Sequence, residues 1–457
     1  MKKLKYFVEE NLIPKDGSKK IIENFYHKTK DDTLELLIYP DVHYKKGARV
    51  VNGMLTASDT SIYPAMLGVA NCGFTFGKIE NVSIEDREKL EKSFEEYSKI
   101  LKAYNNTRIY SDEEIYNIFY KYLEKFYSDK RYKDLYEFVG FNNLDDLKNS
   151  MKEILTKKHI EVAAKTLGTL GGGNHFFELQ YVEESYSNEY KNKEIIFILH
   201  SDSIAVGDKI NLLFSNLSEL DHLKFKPKGE LIRLINRIRQ ISYFVFKNRL
   251  FFKEPKGILN LLYSQNNFRL IDVNTKTGKT LIKAFFLASI FGDMNRDMIL
   301  LNYEKILKNI IPNAKLNTIG THSHDSLMVE KYDGKFKIVQ RNGVQCVVND
   351  RYFILPGALG TESYMMQNTN NKEAYYSANH GVGRFLDKHI AKKEFNSKNT
   401  EDELKKRNMK LYRIGSGNIA EQNPNAFKNV FEVTNIMQKN NLGKRVAKLR
   451  PICSMKG

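Results

Sequence analysis

The sequence contains no tryptophan, only nine prolines and only three cysteines in 457 residues. Cys72, Cys346 and Cys453 are odd in number and far apart, which argues against a disulfide framework. No apolar run has the length that a membrane-spanning helix needs, and the N-terminal residues lack the continuous apolar core of a secretory signal. We therefore expect a protein that has no membrane partner and that works in the reducing cytoplasm.

Acidic residues are fewer than basic ones. The chain has 55 Asp and Glu against 72 Lys and Arg, which gives a net charge of +17 and a pI of about 9.3. A charge this far from zero attracts polyanions through its summed field. Binding of nucleic acid or of a phosphorylated substrate is one interpretation, and a background rich in Lys and Asn is the other. Hydrophobic residues make up 42% of the chain, enough for a sizeable core.

No Gly/Ser linker, internal repeat or low-complexity tract divides the chain. Hydrophobic periodicity distinguishes strands from helices along it. It predicts, in chain order, short strands over residues 34–80, a charged helical block over 84–165, a buried strand over 194–199, helices over 229–250 and 280–311, and strands over 335–348. The 229–250 helix is basic and amphipathic, so its polar face is either a solvated surface or an RNA-facing one.

A glycine-rich segment over residues 167–178 is the most informative part of the sequence. Gly171, Gly172 and Gly173 lead into Asn174 and His175. Glycine lets a ligand approach the main chain closely, so this run is typical of a loop that offers backbone N–H groups to an anion and an imidazole to a metal. The alternative is a flexible turn with a buried, hydrogen-bonded histidine. Alternation after the loop predicts a short strand with His175, Phe177 and Leu179 on one face and Phe176 and Glu178 on the other.

Several other histidines occupy loop-like positions beside small residues. His43 follows Asp41, His200 ends the predicted 194–199 strand, and His324 lies in a Thr-His-Ser-His-Asp segment. Together with Cys72, such imidazoles make a plausible site for Mn, Zn or Co. Each residue taken alone is more often structural.

The segment around His380 indicates a second kind of chemistry. His380 is followed by Gly381, Val382, Gly383 and Arg384. Backbone amides and a guanidinium suit a phosphate group, and the histidine could act as a base, a ligand or a covalent nucleophile.

These motifs stand in the order found in the RtcB family of GTP-dependent RNA ligases, and the chain resembles that family from about Asp41 onward. The matching segments are residues 41–43, 68–73, 167–178, 200–201, 324–325, 355–364, 380–384, 449–451 and 456–457. The resemblance implies an α+β fold. It implies a single large catalytic domain over residues 1–457, with mixed β-sheets around a central metal cleft, flanking helices, and the 84–165 block within or decorating that domain.

The same resemblance implies an RNA ligase that joins 3′-phosphate or 2′,3′-cyclic phosphate ends to 5′-hydroxyl ends in tRNA splicing or RNA repair. His380 would attack GTP and form a GMP–histidine intermediate. Cys72 would bridge two Mn²⁺ ions, with His175, His200 and His324 completing the metal sites. The partners would be GTP, tRNA halves or other broken RNA, and an archease-like activator.

The resemblance also assigns a set of residues to nucleotide binding. They are Asn174, His175, Phe176, Phe177, Glu178, His324, Asp325, Pro356, Gly357, Ala358, Leu359, Ser363, His380, Gly381, Val382, Gly383 and Lys456. Within this set, Glu178 and Lys456 would select guanine over adenine.

The chain departs from the family pattern at several positions. The family's metal-binding aspartate, three residues before the cysteine, is replaced by Val69, and Asp41 and Asp202 are the carboxylates that could compensate. A serine of the nucleotide loop is Ala358, and the asparagine after the third metal histidine is Asp325. A C-terminal tyrosine of the family corresponds to Phe427. These departures leave open a diverged paralogue that binds RNA or nucleotide without full ligation. A third alternative is an unrelated metallo-phosphohydrolase that acquired similar motifs by convergence.

Overall fold

The computed structural model of the chain describes residues 2–44, 48–105, 107–203, 206–207 and 270–457. Ten α-helices lie within these ranges. They are α1 Ser18–Lys28, α2 Arg87–Ile100, α3 Asp112–Tyr127, α4 Lys133–Val139, α5 Leu144–Ile154, α6 Lys157–Thr166, α7 Lys276–Ile310, α8 Lys388–Glu394, α9 Ser397–Lys406 and α10 Val430–Lys439. Helices α2–α6 confirm the predicted helical block and α7 the predicted 280–311 helix, whereas the predicted 229–250 helix lies outside the described residues.

Seventeen strands lie within the same ranges. They are β1 Lys3–Tyr6, β2 Glu35–His43, β3 Asn52–Ser58, β4 Ser61–Ile62, β5 Gly73–Ser83, β6 Phe176–Ser185, β7 Glu194–Ser201, β8 Ile271–Asp272, β9 Lys315–Ser323, β10 Asp325–Tyr332, β11 Lys335–Asn342, β12 Val344–Cys346, β13 Tyr352–Leu355, β14 Ser363–Gln367, β15 Ser377–Asn379, β16 Lys410–Arg413 and β17 Lys444–Lys456. The predicted α+β class is confirmed.

Two sheets contain most of these strands. The larger one has eight strands in the order β13-β14-β17-β6-β7-β5-β9, with β16 also paired to β17. Its neighbours are antiparallel except for the parallel β16–β17 pair. The second sheet has the order β1-β2-β3-β11-β10, and two ribbons pair β12 with β15 and β4 with β8.

Strand β6 shows the predicted alternation of faces from Phe176 to Leu179, whereas His175, predicted on the same face as Phe177, precedes the strand and is not part of that core. Phe177 and Leu179 lie in a hydrophobic core with Phe94 of α2. Phe176 and Glu178 line a cavity on the opposite face. The core therefore anchors the strand while the other face remains available for a site.

The longest of the described helices, α7, packs against the predicted helical block. Thr275 caps its N-terminus by accepting a hydrogen bond from the Gly278 amide at 3.1 Å. Phe291 is fully buried and stacks on Phe119 of α3, with ring centroids 6.1 Å apart. Despite the length of α7, the described residues include no helix that is both long and apolar enough to cross a bilayer. Apolar packing on α7 thus fixes the helices relative to the sheets.

Truncating Phe291 tests this packing. We expect Phe291→Ala to lower the free energy of unfolding by about 3–5 kcal/mol, because it removes a buried ring and leaves a cavity. Leu301 lies on the same helix with a 52% exposed side chain, so we expect Leu301→Ala to change stability by less than about 0.5 kcal/mol. Chemical denaturation of both variants measures the difference, and equal effects would contradict the described packing.

Candidate metal and nucleotide site

Four predicted metal ligands lie at the ends of neighbouring strands. Cys72 directly precedes β5 and His175 directly precedes β6. His200 is the penultimate residue of β7, and His324 directly follows β9. These strands are adjacent and antiparallel in the order β6-β7-β5-β9, so the starts of β5 and β6 meet the ends of β7 and β9. Side chains far apart in sequence are thereby brought to one edge of the large sheet.

The side chains at this edge form two groups of potential metal donors. Cys72 Sγ lies 3.3 Å from His200 Nε2 and 3.5 Å from His175 Nε2. His200 Nε2 lies 2.9 Å from His324 Nε2, and His175 Nε2 lies 3.4 Å from Asp202 Oδ2. One group is Cys72, His200 and His324, and the other is Cys72, His175 and Asp202. The thiol sulfur is common to both groups.

Two of the buried imidazoles, those of His175 and His200, have the protonation state that metal binding requires. Burial, together with the positive charges of Lys456 and Arg296, lowers the pKa of His175 to about 3. Burial also lowers the pKa of His200 well below its ordinary value, and the neighbouring histidines add to the effect. Neutral imidazole is the metal-ligating form. A thiolate, neutral imidazoles and a carboxylate fit a borderline divalent cation such as Mn²⁺, Zn²⁺ or Co²⁺.

The glycine-rich loop gives His175 its position. Gly171 has a φ of 82°, and a Cβ atom there would lie 2.3 Å from His175 Nδ1. Glycine is therefore required for the loop to close against the imidazole. The sequence interpretation of this loop as a close-approach segment agrees with that geometry.

A buried arginine of α7 fixes the loop before Cys72 and the end of β7. Arg296 donates to the carbonyl oxygens of Asn71 and Ser201 at 2.9 Å each, and to Asp293 Oδ1 at 2.5 Å. It also donates to Thr75 Oγ1 at 3.1 Å. Arg296 is fully buried, and the carboxylate of Asp293 is its ion-pair partner.

Asn295, the residue before Arg296, holds the glycine-rich loop and the end of β7. Asn295 accepts from the Gly168 amide at 2.7 Å and donates to the Thr169 carbonyl at 2.9 Å. Its amide also donates to Ser201 Oγ at 3.1 Å and to the Asp202 carbonyl at 3.4 Å. Sequence analysis missed both α7 residues. The signal available was a short polar run, residues 293 and 295–297, between the largely apolar stretches 284–292 and 298–301 of the helix.

His380 follows β15 and lies beside the donor groups. Its ring centroid is 4.7 Å from that of His324. His380 Nδ1 lies 2.5 Å from Asp41 Oδ2 and 2.7 Å from the Gly343 carbonyl oxygen. Because both neighbours are hydrogen-bond acceptors, Nδ1 carries the proton and Nε2 keeps its lone pair. Asp41 also accepts from the His380 amide at 3.2 Å, so one buried carboxylate orients both the ring and its backbone.

A cavity of about 280 Å³ opens in front of His380. Most residues predicted to bind nucleotide line it, namely Asn174, Phe176, Glu178, Pro356, Gly357, Ala358, Leu359, Ser363, His380, Gly381, Val382, Gly383 and Lys456. The predicted metal ligand His200 also lines it. Residues that the sequence did not single out for nucleotide binding, among them Asn52, Phe74, Lys388 and Gln422, complete the lining.

Four predicted nucleotide-binding residues are not among the residues that line the cavity. His175 and His324 belong to the donor groups beside it. The ring of Phe177 packs between Phe94 and Tyr303, with centroids 4.9 Å from each. Asp325 accepts from the Gly343 amide at 2.9 Å. For Phe177 the reason is the two-residue period of β6, which turns its side chain away from Phe176.

The cavity contains two buried ionisable groups of opposite charge. Burial raises the pKa of Glu178 to about 7, although Gln180, Ser454 and Lys456 act in the opposite direction. Burial lowers the pKa of Lys456 to about 7, and nearby cations contribute. The Lys456 ammonium lies 5.7 Å from the Phe176 ring centroid. The cavity thus combines an aromatic face with one carboxyl group and one amine.

At the cavity rim, Arg384 is held by an aromatic ring. Its guanidinium lies 4.1 Å from the Phe427 ring centroid and donates to the Glu421 carbonyl oxygen at 2.7 Å. Gly383 has a φ of 72°, and a Cβ atom there would lie 2.3 Å from the Asp41 carbonyl oxygen. The segment after His380 therefore packs directly against the strand that carries Asp41.

Replacing Arg296 tests its part in holding the site. We expect Arg296→Met to lower the free energy of unfolding by about 3–5 kcal/mol, because Asp293 and two backbone carbonyls lose their buried partner. Lys308→Met, which breaks an exposed ion pair on the same helix, should cost less than about 1 kcal/mol. Denaturation curves of the two variants compare them, and a near-neutral Arg296→Met would refute this support role.

Comparison with known proteins agrees with the resemblance. A sequence model of the family described as tRNA-splicing ligase RtcB matches residues 32–457. The tRNA-splicing ligase RtcB of Methanococcus maripaludis is 23% identical over 320 residues, which are 64% of this chain and 60% of that protein. The corresponding protein of Nanoarchaeum equitans is 24% identical over 321 residues, with the same coverage of 64% and 60%.

A bacterial relative gives a similar result. The RNA-splicing ligase RtcB of Mycobacterium tuberculosis is 23% identical over 308 residues, 64% of this chain and 65% of that protein. The chain thus spans between 60% and 65% of the length of these three relatives. Since the family model covers residues 32–457, the chain belongs to the RtcB family.

Proposed function

We propose that the protein is a GTP- and metal-dependent RNA ligase that works through a GMP–His380 intermediate. It joins RNA 3′-phosphate ends, or 2′,3′-cyclic phosphate ends after their hydrolysis, to 5′-hydroxyl ends. The observation that carries the proposal is the position of His380, which lines the cavity and lies beside the donor group that contains His324.

The first step is attack of His380 Nε2 on the α-phosphorus of GTP. A P–N bond forms, the bond to the pyrophosphate oxygen breaks, and pyrophosphate leaves. Positive charge that develops on the imidazole is stabilised by Asp41, whose carboxylate lies 2.5 Å from Nδ1. The same contact fixes the tautomer in which Nε2 is the nucleophile.

Guanine recognition is assigned to the two ionisable groups of the cavity. Glu178, as the carboxylate, accepts from the guanine ring N–H and amino group, and Lys456 donates to the guanine carbonyl oxygen. Phe176 offers an aromatic face beside Lys456. Adenine lacks that pattern of donors and acceptor, so these contacts would leave buried polar groups unpaired with ATP.

Two further transfers complete the reaction. The RNA 3′-phosphate oxygen attacks the GMP phosphorus, which breaks the P–N bond and releases His380. The RNA 5′-hydroxyl then attacks the activated 3′-phosphorus, a phosphodiester forms, and GMP leaves. Lys388 and Arg384, which line the cavity, and the net charge of +17 suit the RNA backbone.

Cys72, His175, His200 and His324 would hold Mn²⁺, because their side chains form the two donor groups at the edge of the large sheet. When bound, divalent cations would neutralise phosphate charge during the transfers.

Four further expectations from the sequence stay predictions. They are a single domain over residues 1–457, a cytoplasmic location, a role in tRNA splicing or RNA repair, and an archease-like activator.

Guanylylation tests the nucleophile. With GTP labelled at the α-phosphate and Mn²⁺, we expect GMP-labelled protein that His380→Ala abolishes. Asp41→Asn should slow labelling by about 10²- to 10⁴-fold, because it disturbs the tautomer and removes charge stabilisation. His27→Ala, which changes an exposed histidine of α1 that is far from His380 in the sequence, serves as the matched histidine control. Peptide mass spectrometry locates the adduct.

The outcomes separate the alternatives. An adduct on another residue, or none with any of several divalent metals, would contradict the proposal. RNA binding that is sensitive to salt and survives His380→Ala without joining would identify a binding paralogue. Phosphate release from RNA ends without GTP would identify a hydrolase.

The pH dependence of GTP binding tests the guanine contacts. Binding requires Glu178 ionised and Lys456 protonated, and both pKa values are about 7. We therefore expect the affinity to be highest near pH 7 and to fall about threefold one unit to either side. Glu178→Gln should remove the acid-side loss and Lys456→Met the alkaline-side loss. Calorimetric titration over about three pH units, 5.5–8.5, spans both pKa values and measures the GTP affinity at each pH. The same pH dependence in both variants as in the parent protein would refute the assignment.

A further inference from the structure

The donor group of Cys72, His175 and Asp202 takes its oxygen donor from outside the loop that precedes Cys72. The loop before Cys72 contains no carboxylate. The Cys72 amide donates to the Val69 carbonyl at 3.0 Å, and the Asn71 side-chain amide donates to Asp293 at 2.7 Å, away from the thiol. This loop therefore contributes the sulfur of Cys72 and no side-chain oxygen.

Asp202 stands where such an oxygen is needed. It follows β7 and is two residues after His200, so the two-residue period of an extended chain directs both side chains to the same side. The carboxylate is buried, with 8% of the residue exposed, and Oδ2 lies 3.4 Å from His175 Nε2. One strand end thus provides an imidazole to the first donor group and a carboxylate to the second.

The spacing of these donors matches a shared cation. Two donors about 2.1 Å from one ion at a tetrahedral angle lie about 3.4 Å apart, and a sulfur donor lies about 3.6 Å from a nitrogen. The observed separations are 3.4 Å between His175 and Asp202 and 3.5 Å between Cys72 and His175. Carboxylate oxygen is also a ligand type that suits Mn²⁺.

Hydrogen bonds from α7 hold the backbone at Asp202. Asn295 donates to the Asp202 carbonyl oxygen, and Arg296 donates to the carbonyl oxygen of Ser201 before it. Asp325 accepts from the Gly343 amide and lies 3.7 Å from His324 Nδ1, the ring nitrogen that faces away from His200 Nε2. A further nearby carboxylate, Asp41, is already bonded through Oδ2 to the ring and amide of His380. It is therefore oriented toward His380 and not toward the thiol.

We propose that Asp202 is the carboxylate ligand of the second cation, which it binds together with Cys72 and His175. The inference rests on the two-cation site of the proposed ligase. Asp202, at the end of β7, would replace the aspartate that the family has before the cysteine and that this chain lacks.

Metal content and electron paramagnetic resonance of Mn²⁺-loaded, full-length protein test the proposal without any activity measurement. We expect two equivalents of Mn²⁺ in the parent protein, with a spectrum in which the two ions are magnetically coupled through the shared thiolate. Asp202→Asn should keep one equivalent, show the spectrum of an isolated ion, and bind the second equivalent at least about 100-fold more weakly. Asp202→Glu retains the carboxylate and should retain a second ion, which shows that the fold tolerates substitution there.

Asp41→Asn is the matched control, because it neutralises another carboxylate near the donor groups. It should keep both ions and the coupled spectrum while it slows guanylylation. Two coupled ions in Asp202→Asn, loss of the second ion only in Asp41→Asn, or a single equivalent in the parent protein would each overturn the proposal. These readings do not depend on guanylylation, so a failure of ligase function would be seen separately from a failure of this metal assignment.

Discussion

The antiparallel register of β6, β7, β5 and β9 is the constraint on which the site depends. It aligns Gly73 with both Ser201 and Ser323, and Phe176 with His200. A slip by one residue would turn the neighbouring side chains to the other face of the sheet. The core on the opposite face, which contains Phe177, opposes such a slip, because it would expose buried rings. Packing on one face thus fixes chemistry on the other.

Gathering these groups requires support from outside the sheet. Imidazoles, a thiol and a carboxylate are buried together, an arrangement that costs free energy unless each group is bonded or shares a cation. Arg296 and Asn295 of α7 hold the loop backbones, and Asp41 orients His380. The long helix therefore links the hydrophobic core of the molecule to its reactive edge.

Local patterns in the sequence predicted much of this arrangement. The strand that ends at His200, the faces of β6 and the helical block all follow from periodicity, and ordered motifs indicated the family. Contacts between distant residues could not be predicted, because nothing local couples Asp41 to His380 or Arg296 to Asn71. The choice between Asp41 and Asp202 was likewise undecidable in sequence, since it depends on where the end of β7 lies in space. Only the geometry relates Asp202 to His175.

We propose that one edge of the cavity binds two cations through Cys72, next to a nucleophilic His380. A crystal structure of the protein soaked with Mn²⁺ and GTP, with anomalous scattering recorded for manganese, would locate both the cations and the nucleotide. We expect two anomalous peaks beside Cys72 Sγ and electron density that is continuous from His380 Nε2 to the α-phosphorus. Manganese peaks remote from Cys72, or a nucleotide bound away from His380, would refute this arrangement.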